Sequence, residues 1–309
     1  MKGTFVCGGT GFIGKHVVRL LVEGGVRVHA LARSEKSADS LRALGAEPVR
    51  GDLCVAGDWR DRAREAARIV HLAQPPTFGA RVTKKRARAY ATERITMDRN
   101  LLGALDPKTV ERIVYVAGTS YYGNLGTELR DETATPRPRG WGPYVAPAIG
   151  ELAGYVARGL PIVTAFPGYV YGDGSWFREY VYRPLRSGRR LNVLGGRSRV
   201  GSPIHVKDCA RAIVHLLDHG AAGERYFLVD DAPGTWSTFH ARAAEAMGAK
   251  LRVRRVPPIV LRILLGNVVT DSLLSDARLS NARLRATGFA FDFPTSREGI
   301  ADVIAHARR

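Results

Sequence analysis

The 309-residue chain carries 47 Lys and Arg against 29 Asp and Glu, a formal net charge of +18, with 45% hydrophobic and 25% charged residues. This is the composition of a globular, enzyme-sized body and excludes a disordered or low-complexity protein. The longest apolar stretch, VPPIVLRILLGNVV (256–269), is too short to cross a bilayer and is interrupted by Arg262, which argues against a membrane partner.

The strand-like run KGTFVC begins at Lys2, so no signal peptide is expected before it and the cytoplasm is the expected compartment. Cys7, Cys54 and Cys209 are odd in number and lack metal-ligand spacing; they read as reduced core thiols, and no metal site is expected. The positive field favours acidic partners such as phosphates, a coenzyme A tail or an acidic carrier protein. The basic residues are dispersed and lack interleaved aromatics, so no nucleic-acid partner is expected.

In chain order, TFVCGG (4–9) reads as a buried strand, followed by a helix with Ile13, Val17, Leu20 and Leu21 on one face. Between them lies GGTGFIG (8–14). Gly8 permits the tight turn, Gly11 lets a diphosphate approach the backbone and Gly14 lets helix and strand pack closely; with Phe12 and Ile13, the opening helix turn offers free N–H groups to anionic oxygens. This is a dinucleotide cradle. A second strand, RVHALAR (27–33), ends at Arg33, where a cation suits the 2′-phosphate of NADP better than the ribose diol of NAD, although NAD stays open.

A helix at 37–45, a strand at PVRGDL (48–53) and the doubly buried runs RIVHLAQ (68–74) and RIVYVAG (112–118) continue the alternation. GLPIVTAFPG (159–168) supplies a sixth strand. The expected architecture is a doubly wound, parallel α/β (Rossmann) sheet over residues 1–168. Residues 169–309 are expected to form mainly a smaller substrate-binding lobe, with some segments such as SPIHVKD and RYFLVDD returning to the Rossmann body.

The motifs GGTGFIG, GDL (51–53), VHLA (70–73), VYVAGTSYYGN (114–124), PY (143–144), FPGYVYGDG (166–174) and IHVKD (204–208) together resemble the extended short-chain dehydrogenase/reductase superfamily, in its NAD(P)-dependent epimerase/dehydratase branch. The resemblance implies that Asp52 and Leu53 meet the adenine, that Ala73 and Gln74 border the ribose and nicotinamide, and that Pro167, Gly168 and Val170 line the nicotinamide side. It also implies a catalytic tyrosine at Tyr144 with a nearby hydroxyl, and a homodimer is common in such families.

Two departures stand out. The family's Ser/Thr position is Gly118 here, with Thr119 and Ser120 one and two places late, and the family's lysine position four after Tyr144 is Ala148. A shift of register by one puts Pro143 and Pro147 at those positions and restores no lysine. With an unperturbed pKa near 10, a phenol without an adjacent ammonium remains protonated at neutral pH and serves as a donor rather than a base. Lys207, Lys84 and Lys85 are the other lysines weighed, the last two in the basic run RVTKKRARAYATER (81–94), which reads as a solvated helix face or a contact for an acidic substrate.

The expected activity is therefore an atypical NADP-dependent oxidoreductase or epimerase acting on a small carbonyl or alcohol, using Tyr144 with Ser120 or Thr119. A non-redox isomerase, cyclase or dehydratase on the same fold, and a non-enzymatic NADP-binding sensor or assembly protein, remain open at the level of sequence.

Overall fold

A computed structural model describes residues 3–76 and 81–307, so Lys2, named above as the start of the first strand, lies outside the described residues. The first five strands are β1 (Thr4–Cys7), β2 (Val28–Ala32), β3 (Glu47–Arg50), β4 (Arg68–His71) and β5 (Arg112–Val116). Helices α1 (Gly14–Glu23), α2 (Glu35–Arg42), α3 (Trp59–Glu65) and α4 (Lys84–Leu102) connect them. The chain continues through β6 (Gly126–Arg130), α5 (Gly142–Ala157) and β7 (Ile162–Pro167). After β8 (Tyr169–Tyr171) come α6 (Arg183–Arg186), β9 (Leu191–Leu194), β10 (Val200–Gly201), β11 (Pro203–His205), α7 (Val206–His219) and β12 (Arg225–Leu228).

The central sheet is parallel and seven-stranded, in the order β12-β7-β5-β4-β1-β2-β3. Order reverses at β1, so the carboxyl ends of β1 and β4 open a crevice at the topological switch point. Alternation along each strand assigns the two faces. Val6, Val114 and Val116 point into one core with α1, α2 and α7. Phe5, Cys7, Ile113 and Tyr115 point into the other, against α3, α4 and α5.

RYFLVDD and SPIHVKD both lead into elements of the sheet body. β12 forms the sheet edge beside β7, and α7 packs on α1. SPIHVKD is only briefly a strand, because the chain turns helical at Val206. A separate core, with Tyr171, Phe177, Leu191, Phe239 and Ile300, lies under the remaining C-terminal segments.

Candidate active site

Glycine contacts shape the turn after β1. Gly8 has φ +87°, and a Cβ there would lie 2.7 Å from the Ala73 amide nitrogen, so the turn is pressed against the end of β4. A Cβ on Gly14 would overlap the Gly8 carbonyl oxygen, whereas one on exposed Gly11 would meet only that oxygen, at 3.2 Å. α1 opens at Ile13 with no side-chain cap and no acidic residue in its first turn. Among the described residues, the amides of Phe12, Ile13 and Gly14 have no backbone acceptor. A close, uncapped cradle of amide hydrogens fits a diphosphate.

Around it the residues named from sequence take up distinct positions. Arg33 is exposed at the end of β2, with no carboxylate partner among the described residues; its neighbour Glu35 accepts from Arg42 at 2.8 Å. Asp52 is partly exposed and accepts from the Cys54 amide at 2.9 Å, while the Leu53 side chain is buried in the core and its carbonyl accepts from Asn100. Pro167 is buried at the end of β7, and a Cβ on Gly168 would overlap the Ser202 carbonyl oxygen. Val170 packs against the α1 side of the core.

Cross-strand register then builds a polar cluster. Cys7, His71 and Tyr115 are paired neighbours on β1, β4 and β5, on the face covered by α4. α4 answers with Arg94 and Asp98, four residues apart and 3% and 1% exposed. Asp98 accepts from the Tyr115 hydroxyl at 2.7 Å and pairs with His71 Nε2 at 2.8 Å and Arg94 Nε at 3.1 Å. Arg94 also donates to the Tyr115 oxygen at 2.9 Å and to the carbonyl of Ala73.

Burial disfavours charge throughout this cluster, and its partners decide the outcome. Desolvation acts to raise the Asp98 carboxyl, but Arg94, His71 and Tyr115 outweigh it and hold it below its ordinary value. Desolvation and Arg94 lower His71, which is neutral. The Arg94 guanidinium, despite desolvation, is held charged by Asp98. Desolvation raises the Tyr115 phenol well above 10, and raises Tyr90 in spite of the opposing influence of Arg94.

In front of the cluster is a cavity of about 160 Å³, lined among others by Gln74, Tyr90, Arg94, Tyr115, Ser120 and Ala148. Ala148 is 2% exposed, so its short side chain forms part of the cavity wall. Gly118 also lines it, and Ser120 Oγ lies 3.6 Å from the position of a Cβ on Gly118, so the Ser120 hydroxyl lies beside that position. Tyr144 and Thr119 are not among the lining residues. Trp141, just before α5, and Val145, Ala148 and Ile149 on it form the lining stripe; Tyr144 falls on its flank and packs with Trp141 against Val82, Ala87 and Val268.

The lysines weighed from sequence lie elsewhere. Lys207 Nζ holds both Asp302 oxygens at 2.9 Å, and Lys84 and Lys85 are exposed in the first turn of α4. The basic run is not a uniformly solvated face either, because Tyr90 and Arg94 at its end turn inward. Cys7 and Cys209 are buried thiols, but Cys54 is exposed, since it follows β3 in the loop where Leu53 takes the core position. No group of metal-ligating side chains occurs among the described residues, and none of their helices is long and apolar enough to cross a membrane.

Residues 4–228 match the profile of the NAD dependent epimerase/dehydratase family, and 256–303 that of a domain of unknown function, DUF1731. The chain belongs to the NAD dependent epimerase/dehydratase family. It is accordingly an NAD(P)-dependent enzyme of the oxidoreductase and epimerase class. A Stigmatella aurantiaca 4-hydroxy-2-methyl-3-oxo-4-farnesyl-3,4-dihydroquinoline-1-oxide ketoreductase is 28% identical over 91% of this chain and 84% of its own. The human epimerase family protein SDR39U1, solved with NADPH, shares the fold with a TM-score of 0.79 at 20% identity, over 98% of this chain and 99% of that one. A Thermus thermophilus UDP-glucose 4-epimerase, solved with NAD, does so at 0.79 and 23%, over 99% and 98%.

Proposed function

We propose that the protein is an NADP-dependent reductase of a small ketone, using the cavity beside Gln74 as its carbonyl site. The observation that carries this reading is the continuity from cradle to cavity. Gly8 presses on Ala73, Gln74 lines the cavity, and every phenol there is held in the protonated, donating form.

In this reading Gly8, Gly11, Phe12, Ile13 and Gly14 hold the diphosphate, Arg33 meets a 2′-phosphate, and Asp52 and Leu53 border the adenine. Ala73, Gln74, Pro167, Gly168 and Val170 flank the nicotinamide. The bound reduced dinucleotide supplies the hydrogen and electron pair that a carbonyl carbon takes up. Ser120 donates a hydrogen bond to the carbonyl oxygen, while Thr119 and Tyr144 support the cavity wall from outside it.

Neutral donors suit reduction, since an alkoxide takes a proton from a phenol downhill, whereas alcohol oxidation needs a base. The ketoreductase relative, matched over most of its length, supports the same direction. The test is to mix the purified chain with NADPH and a panel of cyclic and aryl ketones. Loss of NADPH absorbance with at least one is expected; binding of NADPH with no turnover of any ketone would overturn the reading.

A further inference from the structure

We propose that Tyr90 and Arg94, four residues apart on α4, form the acid pair of this site, with Tyr90 giving the proton and Arg94 supplying the cation that Ala148 on α5 lacks. The assignment rests on the ketone-reductase reading above and names the residues that complete it.

Spacing comes first. Side chains at i and i+4 share a helix face, and both of these line the cavity whose wall includes Ala148. Among the described residues three phenol or hydroxyl groups line that space, and their commitments differ. The Tyr115 hydroxyl already donates to Asp98 at 2.7 Å. Ser120 has no charged partner among the described residues. Among the described residues Tyr90 donates only to the Gln74 side-chain oxygen, at a long 3.3 Å, and Gln74 is exposed. A substrate oxygen displaces that contact at little cost, because a long bond to an exposed amide contributes less than a well-formed one. Trp141, its ring 5.1 Å from that of Tyr90, holds the phenol in place.

Arg94 is placed to influence Tyr90 from the same wall. Arg94 lines the cavity, whereas its counter-ion Asp98 does not, and its guanidinium is held in the wall by the Tyr115 oxygen and the Val116 carbonyl. The Ala73 carbonyl and Asp98 fix its position. In the reaction the carbonyl carbon gains hydrogen and an electron pair from the reduced dinucleotide, and the π pair of the C=O bond moves to oxygen. That oxygen takes the Tyr90 proton, and the tyrosinate left behind recovers a proton from solvent. Arg94 is a positioning residue here: it acts on the tyrosinate and not on the substrate.

The test combines three measurements on the full chain. Tyr90→Phe keeps the ring against Trp141; it is expected to bind NADPH within about two-fold of the parent while kcat for a ketone the parent reduces falls about 100-fold or more. The ultraviolet tyrosinate titration of the NADP-bound protein, parent minus Tyr90→Phe, isolates one phenol without needing a substrate. Its midpoint is expected to stay within about half a pH unit in Arg94→Lys, which keeps the charge, and to rise by about one unit or more in Arg94→Met with Asp98→Asn, which removes both charges. Undiminished kcat in Tyr90→Phe, or an unmoved midpoint in the charge-free variant, overturns the pair and leaves the reductase reading intact. Failure of the parent to bind NADPH overturns that reading first.

Discussion

The Arg94–Asp98 pair should dominate the stability of the α4 side of the sheet, and a double-mutant cycle measures it. Asp98 accepts from Tyr115 at 2.7 Å and pairs with His71 at 2.8 Å and Arg94 at 3.1 Å, all essentially out of water. Asp98→Asn keeps the shape but strands a buried guanidinium, which costs about 3–5 kcal/mol. Arg94→Met strands a carboxylate that still has two partners, so the loss sits near the lower end, about 3 kcal/mol. Removing both charges together strands neither, and the double variant should lose about 2–3 kcal/mol less than the sum of the singles. Urea unfolding followed by the fluorescence of the four tryptophans reads all three. Acid should also shrink the Asp98→Asn deficit, because the Asp98 carboxyl is held below its ordinary value: its contribution is complete above about pH 4 and is lost as pH falls through the lowered value. Losses that add to within about 0.5 kcal/mol would refute the coupling and the geometry behind it.

Other outcomes follow from the same contacts. Gly11→Ala meets only the Gly8 oxygen at 3.2 Å, so calorimetry should show near-parental stability with dinucleotide affinity reduced about ten-fold or more, whereas Gly14→Ala, whose Cβ overlaps the backbone, should lose both affinity and about 1–3 kcal/mol of stability. Arg33→Ala should erode the preference for NADPH over NADH by about ten-fold, read as the ratio of dissociation constants, with NADH affinity little changed. Asp230 is buried with Oδ2 unpartnered among the described residues, and burial raises its carboxyl to about 7. The folded chain therefore binds a proton that the unfolded chain releases near pH 4, and stability should fall by about 4 kcal/mol as pH rises from about 4 to 7. Asp230→Asn should flatten that slope in thermal melts and raise the melting temperature at pH 8.

Sequence revealed the parts of this site that depend on local backbone constraints. Gly14, whose Cβ would overlap the Gly8 carbonyl oxygen, and Gly8, with its φ of +87°, are set by the backbone of one strand-turn-helix unit, and the strands at 68–71 and 112–116 announce themselves by their apolar centres, Ile69–Val70 and Ile113–Val116. The polar cluster was hidden because its members are spread over β4, α4 and β5 and meet only through the register of two strands and the phase of α4. A signal did exist. Ala87, Tyr90, Arg94, Met97, Asp98 and Leu101 fall on one 3.6-residue stripe of α4, so an arginine and a carboxylate four apart sit where the period calls for apolar residues. The density of charge in RVTKKRARAYATER obscured that stripe. Tyr144 failed to reach the cavity for the converse reason: helix phase, which a motif alone does not fix to within one residue, turns Val145 and Ala148 inward instead.

The central claim is that the uncapped amides of Phe12, Ile13 and Gly14 receive the diphosphate of a nicotinamide dinucleotide. Calorimetric titration of the purified chain with NADPH tests it directly. Saturable binding at one molecule per chain, tighter than binding of NADH, is the predicted result; absence of saturable binding of either dinucleotide at millimolar concentration would contradict it.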